Sequence, residues 1–78
     1  MRTEKELLQL ILDNIDMLKT GLCNLTLRLV MIGKMSYDEK IIINDYILNN
    51  APNEHIFWFE LGYAPPRIEW LKQQIEKV

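Results

Sequence analysis

The chain is expected to fold as an all-α bundle of about four helices, with a long aromatic-rich loop before the last one. Three observations point there. Two S/T-x-x-E signatures open at Thr3 and Ser36, large aliphatic residues recur at three- and four-residue spacing, and Pro65-Pro66 stands ahead of a final amphipathic run. Seventy-eight residues, 49% of them hydrophobic and 26% charged, allow one helical domain over 1–78 and leave no room for a separate cofactor domain.

The first helix is expected from about Thr3 to Leu18. Thr3 and Glu6 form a capping box, in which a side-chain oxygen and a carboxylate satisfy free amides at the helix start. Leu7, Leu8, Ile11, Ile15 and Leu18 share one sector of the helix, and Leu10, Leu12 and Met17 widen it. That arc exceeds what one neighbour covers, so the helix is either central in the monomer or shared with a second copy.

Lys19-Thr20-Gly21 breaks the pattern. Over Leu22 to Ile32, Leu25, Leu27, Leu29 and Met31 alternate as in a strand, whereas Leu22, Leu25, Leu29 and Ile32 repeat as in a helix. Helix is favoured, because Leu and Met are better helix than strand residues and Gly33 suits a left-handed C-terminal turn. Ser36-Tyr37-Asp38-Glu39 repeats the capping box and opens a third helix to about Asn49. Its main apolar side is assigned to Tyr37, Ile41 and Leu48 with Ile47, leaving Ile42, Ile43 and Tyr46 facing elsewhere.

Asn49-Asn50-Ala51-Pro52 stops that helix, since the residue before proline avoids helical angles. The connection to Pro65 holds His55, Phe57, Trp58, Phe59 and Tyr63, with Gly62 as a turn point, and shows no helical period. A connection longer than about 12 residues in a small domain is usually functional or disordered, and so aromatic a composition argues against disorder. The proline pair then starts a last helix from Arg67 to about Lys77, with Ile68, Leu71, Ile75 and Val78 as its core stripe.

Arg67, Trp70 and Gln74 line one edge of that helix at i, i+3 and i+7, so a cation, an aromatic plate and an amide lie side by side. A guanidinium near the free amides of a helix start suits an anion, and Trp can stack on a planar ring, which together fit a nucleotide-type ligand. Phe57, Trp58 and Tyr63 could extend this edge into a pocket wall. The competing reading makes Trp70 the closure of the core and gives Arg67 an acidic partner such as Glu60; equally, Phe57 and Trp58 could fill a core or anchor a protein partner.

Other chemistry has less support. One His and one Cys do not make a zinc site, Asp13 and Asp16 read as a solvated helix face, and Cys23 among apolar residues reads as an inert buried thiol. Neither a metal nor a cofactor is expected. The sequence contains no G-x-G-x-x-G, P-loop, H-E-x-x-H, G-x-S-x-G or EF-hand pattern, and a binding role is the default over catalysis for so short a chain. Nine Lys and Arg against eleven Asp and Glu, both spread along the chain, do not form the basic stripe that generic nucleic-acid binding uses. Acids at Glu4 and Glu6 are unlike a secretory leader, and no run approaches the roughly 20 apolar residues of a membrane span. A cytoplasmic location without membrane association is therefore expected.

Four segments carry a resemblance across nearly the whole chain: Lys5-Glu6-Leu7-Leu8, Gly21-Leu22-Cys23-Asn24-Leu25, Tyr46-Ile47-Leu48-Asn49-Asn50-Ala51-Pro52 and Pro66-Arg67-Ile68-Glu69-Trp70-Leu71-Lys72. Together they resemble small uncharacterised proteins encoded by bacteriophages and prophages. The resemblance implies a phage accessory protein in the host cytoplasm, and such proteins often disarm host defences. One such class is the sponge, an oligomer that sequesters cyclic-oligonucleotide or ADP-ribose-type immune signals without cleaving them. On that expectation Arg67, Trp70, Gln74, Trp58, Tyr63 and Phe57 bind the signal in a homo-oligomer, with Arg28 and Lys34 as further phosphate ligands. The alternatives are an inhibitor or adaptor that grips a host defence protein through Phe57, Trp58 and Trp70, and a structural or assembly protein.

Overall fold

The computed structural model describes residues 1–15, 22–51 and 64–78, and these form four helices: α1 (Glu4–Asp13), α2 (Leu22–Met31), α3 (Tyr37–Asn50) and α4 (Ala64–Lys77). No strand occurs among the described residues, and the all-α expectation holds. The stretch from Pro52 to Tyr63, which contains the expected aromatic loop, lies outside the described residues, as does the segment from Asp16 to Gly21.

Both capping boxes form. The Thr3 hydroxyl accepts from the Glu6 amide at 3.2 Å while the Glu6 carboxylate accepts from the Thr3 amide at 3.0 Å. Ser36 and Glu39 repeat this reciprocal pair at 3.1 and 2.9 Å. Each box satisfies amides that the first helical turn leaves without intrahelical acceptors.

Helix α1 is shorter than expected. It ends at Asp13, where Asn14 turns its side-chain amide back onto the Leu10 carbonyl at 2.8 Å and its main-chain amide onto Ile11 at 3.1 Å. A short amide side chain competes with the backbone ladder in this way, which the apolar periodicity running on to Leu18 conceals. Leu7, Leu8 and Ile11 are fully buried, and Leu10, Leu12 and Ile15 pack partly against the same core. Helix α1 contacts both α3 and α4, as α3 contacts both α1 and α2.

The ambiguous segment is helical, and Leu25, Thr26 and Leu29 form the buried face of α2. Gly33 ends it at φ 78°, with the Lys34 amide bonded to the Leu29 carbonyl at 2.9 Å and the Gly33 amide to Val30 at 3.1 Å. This six-to-one and five-to-two pair of bonds is the Schellman arrangement, which needs a left-handed residue at that point. The chain then reverses directly into α3, and the two helices pack as a hairpin.

The core face of α3 differs from the sequence expectation. Ile43 and Ile47 are fully buried, and Ile42 and Tyr46 pack partly against the core. Tyr37, Ile41 and Leu48, expected to be the main apolar side, remain 62, 44 and 39% exposed. Long-range polar contacts favour this rotation: Tyr46 and Glu39, both beside Ile43 on the side away from Ile47, are held by Gln74 and Arg2. With large aliphatic residues all around the helix, these two ties hold one border of its inward face.

Helix α4 begins at Ala64, three residues earlier than expected, because Pro65 and Pro66 occupy its first turn, where no intrahelical bond is lost. Leu71 is fully buried and Ile68 and Ile75 are half-buried, whereas Val78 is exposed. Trp70 and Gln74 join Leu71 on the buried side.

Candidate functional site

Of the six residues expected to bind a ligand, Trp70 and Gln74 are the two whose side chains are described. Trp70 belongs to the core cluster with Leu7, Leu8 and Leu71, and only 8% of it is accessible. Gln74 is equally buried, and its Oε1 accepts a 2.8 Å hydrogen bond from the Tyr46 hydroxyl. In this placement Trp70 packs in the core and Gln74 accepts from a partly buried phenol; the Arg67 half of the competing reading lies outside the described residues. Arg67 lies in the first turns of α4, but its side chain, together with Phe57, Trp58 and Tyr63, lies outside the described residues; so does the side chain of Cys23.

Burial raises the Tyr46 phenol above its ordinary pKa, with a smaller contribution from the charge of Glu4. The hydroxyl therefore stays protonated and donates to Gln74 across the neutral range. This links α3 to α4 over 28 positions of sequence.

A second polar cluster, which the sequence reading did not single out, joins the starts of α1 and α3. Arg2 donates to Glu39 twice, from its main-chain amide to Oε2 and from its guanidinium to Oε1, both at 2.9 Å. With the Ser36 amide on Oε1, the carboxylate accepts three hydrogen bonds and is almost entirely buried. The Ser36 and Arg2 amides, helped by the Arg2 charge, hold the Glu39 carboxyl below the usual carboxylate range. Glu6 is lowered in the same direction, chiefly by the Thr3 amide and then by its hydroxyl.

These groups line an open depression of about 530 Å³ bordered by Met1, Arg2, Glu6, Ser36 and Glu39. Two helix N-termini and an arginine would favour an anion there, but both carboxylates already occupy the donors. The cluster is thus a self-satisfied tie between helices. Among the described residues no group of three His, Cys, Asp or Glu side chains is placed to hold a metal ion, and none of the described helices is long and apolar enough to cross a membrane.

Among the described residues, most large apolar side chains that the core does not use are carried on the α2–α3 hairpin. On α3, Tyr37, Ile41 and Leu48 fall within about 40° of arc at 100° per residue. On α2, Leu27 and Met31 are 45 and 75% exposed, and Ile32 just beyond it 55%. Six large apolar side chains are therefore presented by two adjacent helices. Asn44 marks the border between the Ile47 core face and the α3 stripe, and its buried Oδ1 has no hydrogen-bond partner.

No protein-family model, no curated protein and no solved structure matches the chain. Its chemistry is accordingly read from its own geometry. In that geometry the described part of the aromatic-amide edge supports the core, and most of the exposed large apolar side chains among the described residues lie on the α2–α3 hairpin.

Proposed function

We propose that this chain is a non-catalytic phage accessory protein that acts by binding another protein through the outward face of the α2–α3 hairpin. The observation that carries the reading is the exposure of Leu27 and Met31 on α2 and of Tyr37, Ile41 and Leu48 on α3, two neighbouring helices whose opposite faces are buried. Single exposed aliphatic residues need no explanation, whereas several on one face of a small protein mark an interaction surface. The reading keeps a protein-binding role but moves its anchor away from Trp70, which belongs to the core.

A photo-crosslinking amino acid at Met31, introduced in bacterial cells, is expected to give discrete protein adducts that Ile41→Glu abolishes. A panel of cyclic oligonucleotides and ADP-ribose derivatives is expected to leave the melting temperature unchanged. A thermal shift with one of them that Arg67→Ala removes would replace this reading with the nucleotide sponge. Discrete adducts at Met31 that are indifferent to Ile41→Glu would place the binding surface elsewhere.

A further inference from the structure

Resting on that reading of the α2–α3 face as a protein-binding surface, we infer that its occupant is a second copy of the same chain, forming a twofold dimer in which α2 of each copy covers the α3 stripe of the other. The argument begins with how the hairpin sits in the monomer. Going around α3, Tyr46 and Glu39 face α4 and the start of α1 through Gln74 and Arg2, and Ile43 and Ile47 are buried. The next residues in the same direction are Lys40, whose Nζ lies 5.7 Å from the Tyr37 ring centroid, then Asn44, and then Tyr37, Leu48 and Ile41. Helix α2 also packs on α3; with the first side of α3 turned to Gln74 and Arg2, we place α2 on the Ile47 and Asn44 side, which sets the exposed stripe of α3 next to α2.

Charge then selects the occupant. Arg28 is adjacent to Leu27 and three residues before Met31, so the apolar face of α2 has a basic edge. Asp45 lies four residues after Ile41 and three before Leu48, so the α3 stripe has an acidic edge, which Asp38 extends. Arg28, Asp38 and Asp45 are exposed, and none of them has an ion-pair partner among the described residues. The two halves of a complementary pair are thus carried on one hairpin, which is what a self-complementary twofold interface requires.

With the twofold axis parallel to the hairpin, α2 lies antiparallel on the partner's α3. Counted outward from the turn, position 28 lies about level with position 40 of the partner's α3, between Asp38 and Asp45. Arg28 thereby meets the partner's Asp45 and Met31 meets the partner's Tyr37 and Ile41, giving four helices with the apolar residues inside. Such an arrangement covers the exposed apolar residues of the hairpin and pairs charges that have no ion-pair partner among the described residues.

Light scattering and sedimentation equilibrium of the full chain, from low micromolar to near-millimolar concentration, test this. The expected mass is twice 9.3 kDa, with Met31→Glu and Ile41→Glu returning it to 9.3 kDa and the helical melt of each monomer retained. Arg28→Glu and Asp45→Arg singly are expected to weaken the dimer by about fivefold each, as for a rim ion pair, and the double swap to restore it. A wild-type chain that stays monomeric overturns the inference, and so does a dimer indifferent to Met31→Glu or unrestored by the swap. If the chain is monomeric while Ile41→Glu still abolishes the cellular adducts at Met31, only the choice of occupant fails; if the adducts are also indifferent to Ile41→Glu, the binding-surface reading fails with it.

Discussion

Replacing Glu39 with glutamine removes a charge while nearly preserving shape, and the surroundings of this carboxylate allow the cost to be worked out. Oε1 accepts from the Ser36 amide and the Arg2 guanidinium, and Oε2 from the Arg2 amide. A glutamine oxygen can replace Oε1, but its NH₂ group then faces the Arg2 N–H, so one acceptor is lost and two donors oppose each other. A hydrogen bond to a charged group contributes about 1.5–3 kcal/mol. The Arg2 side chain is 43% exposed, so the ion pair itself adds less than about 1 kcal/mol. A total near 2 kcal/mol corresponds to a fall in melting temperature of roughly 8–16 °C for a domain of this size.

The pH dependence gives an independent check. Because the folded carboxyl is held below an unfolded pKa of about 4.3, the unfolded chain takes up its proton first as pH falls. The stabilisation from Glu39 is complete above that value and is lost as pH drops through the depressed folded pKa. Glu39→Gln lacks this contribution, so the difference between wild type and variant should be greatest near pH 7 and shrink below pH 4, as followed by circular dichroism melts. Arg2→Ala, which keeps the main-chain bond, should cost about 1 kcal/mol or less. A Glu39→Gln protein that melts within about 2 °C of wild type at pH 7, or a gap that is constant down to pH 3, would refute the reasoning.

Further outcomes follow from the same geometry. Ile43→Ala should cost about 2–5 kcal/mol in urea unfolding while Ile41→Ala, four-tenths exposed, changes stability by less than about 1 kcal/mol; the reverse order would mean that α3 is rotated. Tyr46→Phe strands the Gln74 Oε1 and should cost about 1–2 kcal/mol. Because the Tyr46 pKa is raised, the folded state holds its proton longer than the unfolded one, so the wild type should lose stability as pH rises above about 10 and Tyr46→Phe should lose less over that range. Asn44→Leu removes a buried oxygen without a partner and should raise the urea midpoint by the equivalent of about 1 kcal/mol; a lowered midpoint would show that the asparagine amide contributes more than its orphaned oxygen costs.

Local chemistry was the legible part of this fold. Thr3 with Glu6, Ser36 with Glu39, and Gly33 each act within a few residues of chain, so their spacing alone placed two helix starts and one helix end. The rotation of α3 was not legible because its aliphatic residues surround the helix, and the ties that choose among them connect positions 37 and 28 residues apart. For the same reason Trp70 and Gln74 could be read from spacing as an open edge. Their burial depends on Tyr46 and on α1, which α4's own sequence does not encode. The exposed stripe itself was visible as excess aliphatic residues on α3, but its members were assigned to the inside.

Glu39 serves at once as the cap of α3 and as the anchor for the segment leading into α1. Most helix ends fray independently of the body they belong to, exchanging their first amides through small local openings. Here unwinding the first turn of α3 also releases Arg2, so the opening spreads to the docking of a second helix. Amide exchange at the start of α3 should therefore track that of the α1 docking segment, making this end of the bundle one cooperative unit in which a helix start cannot loosen alone.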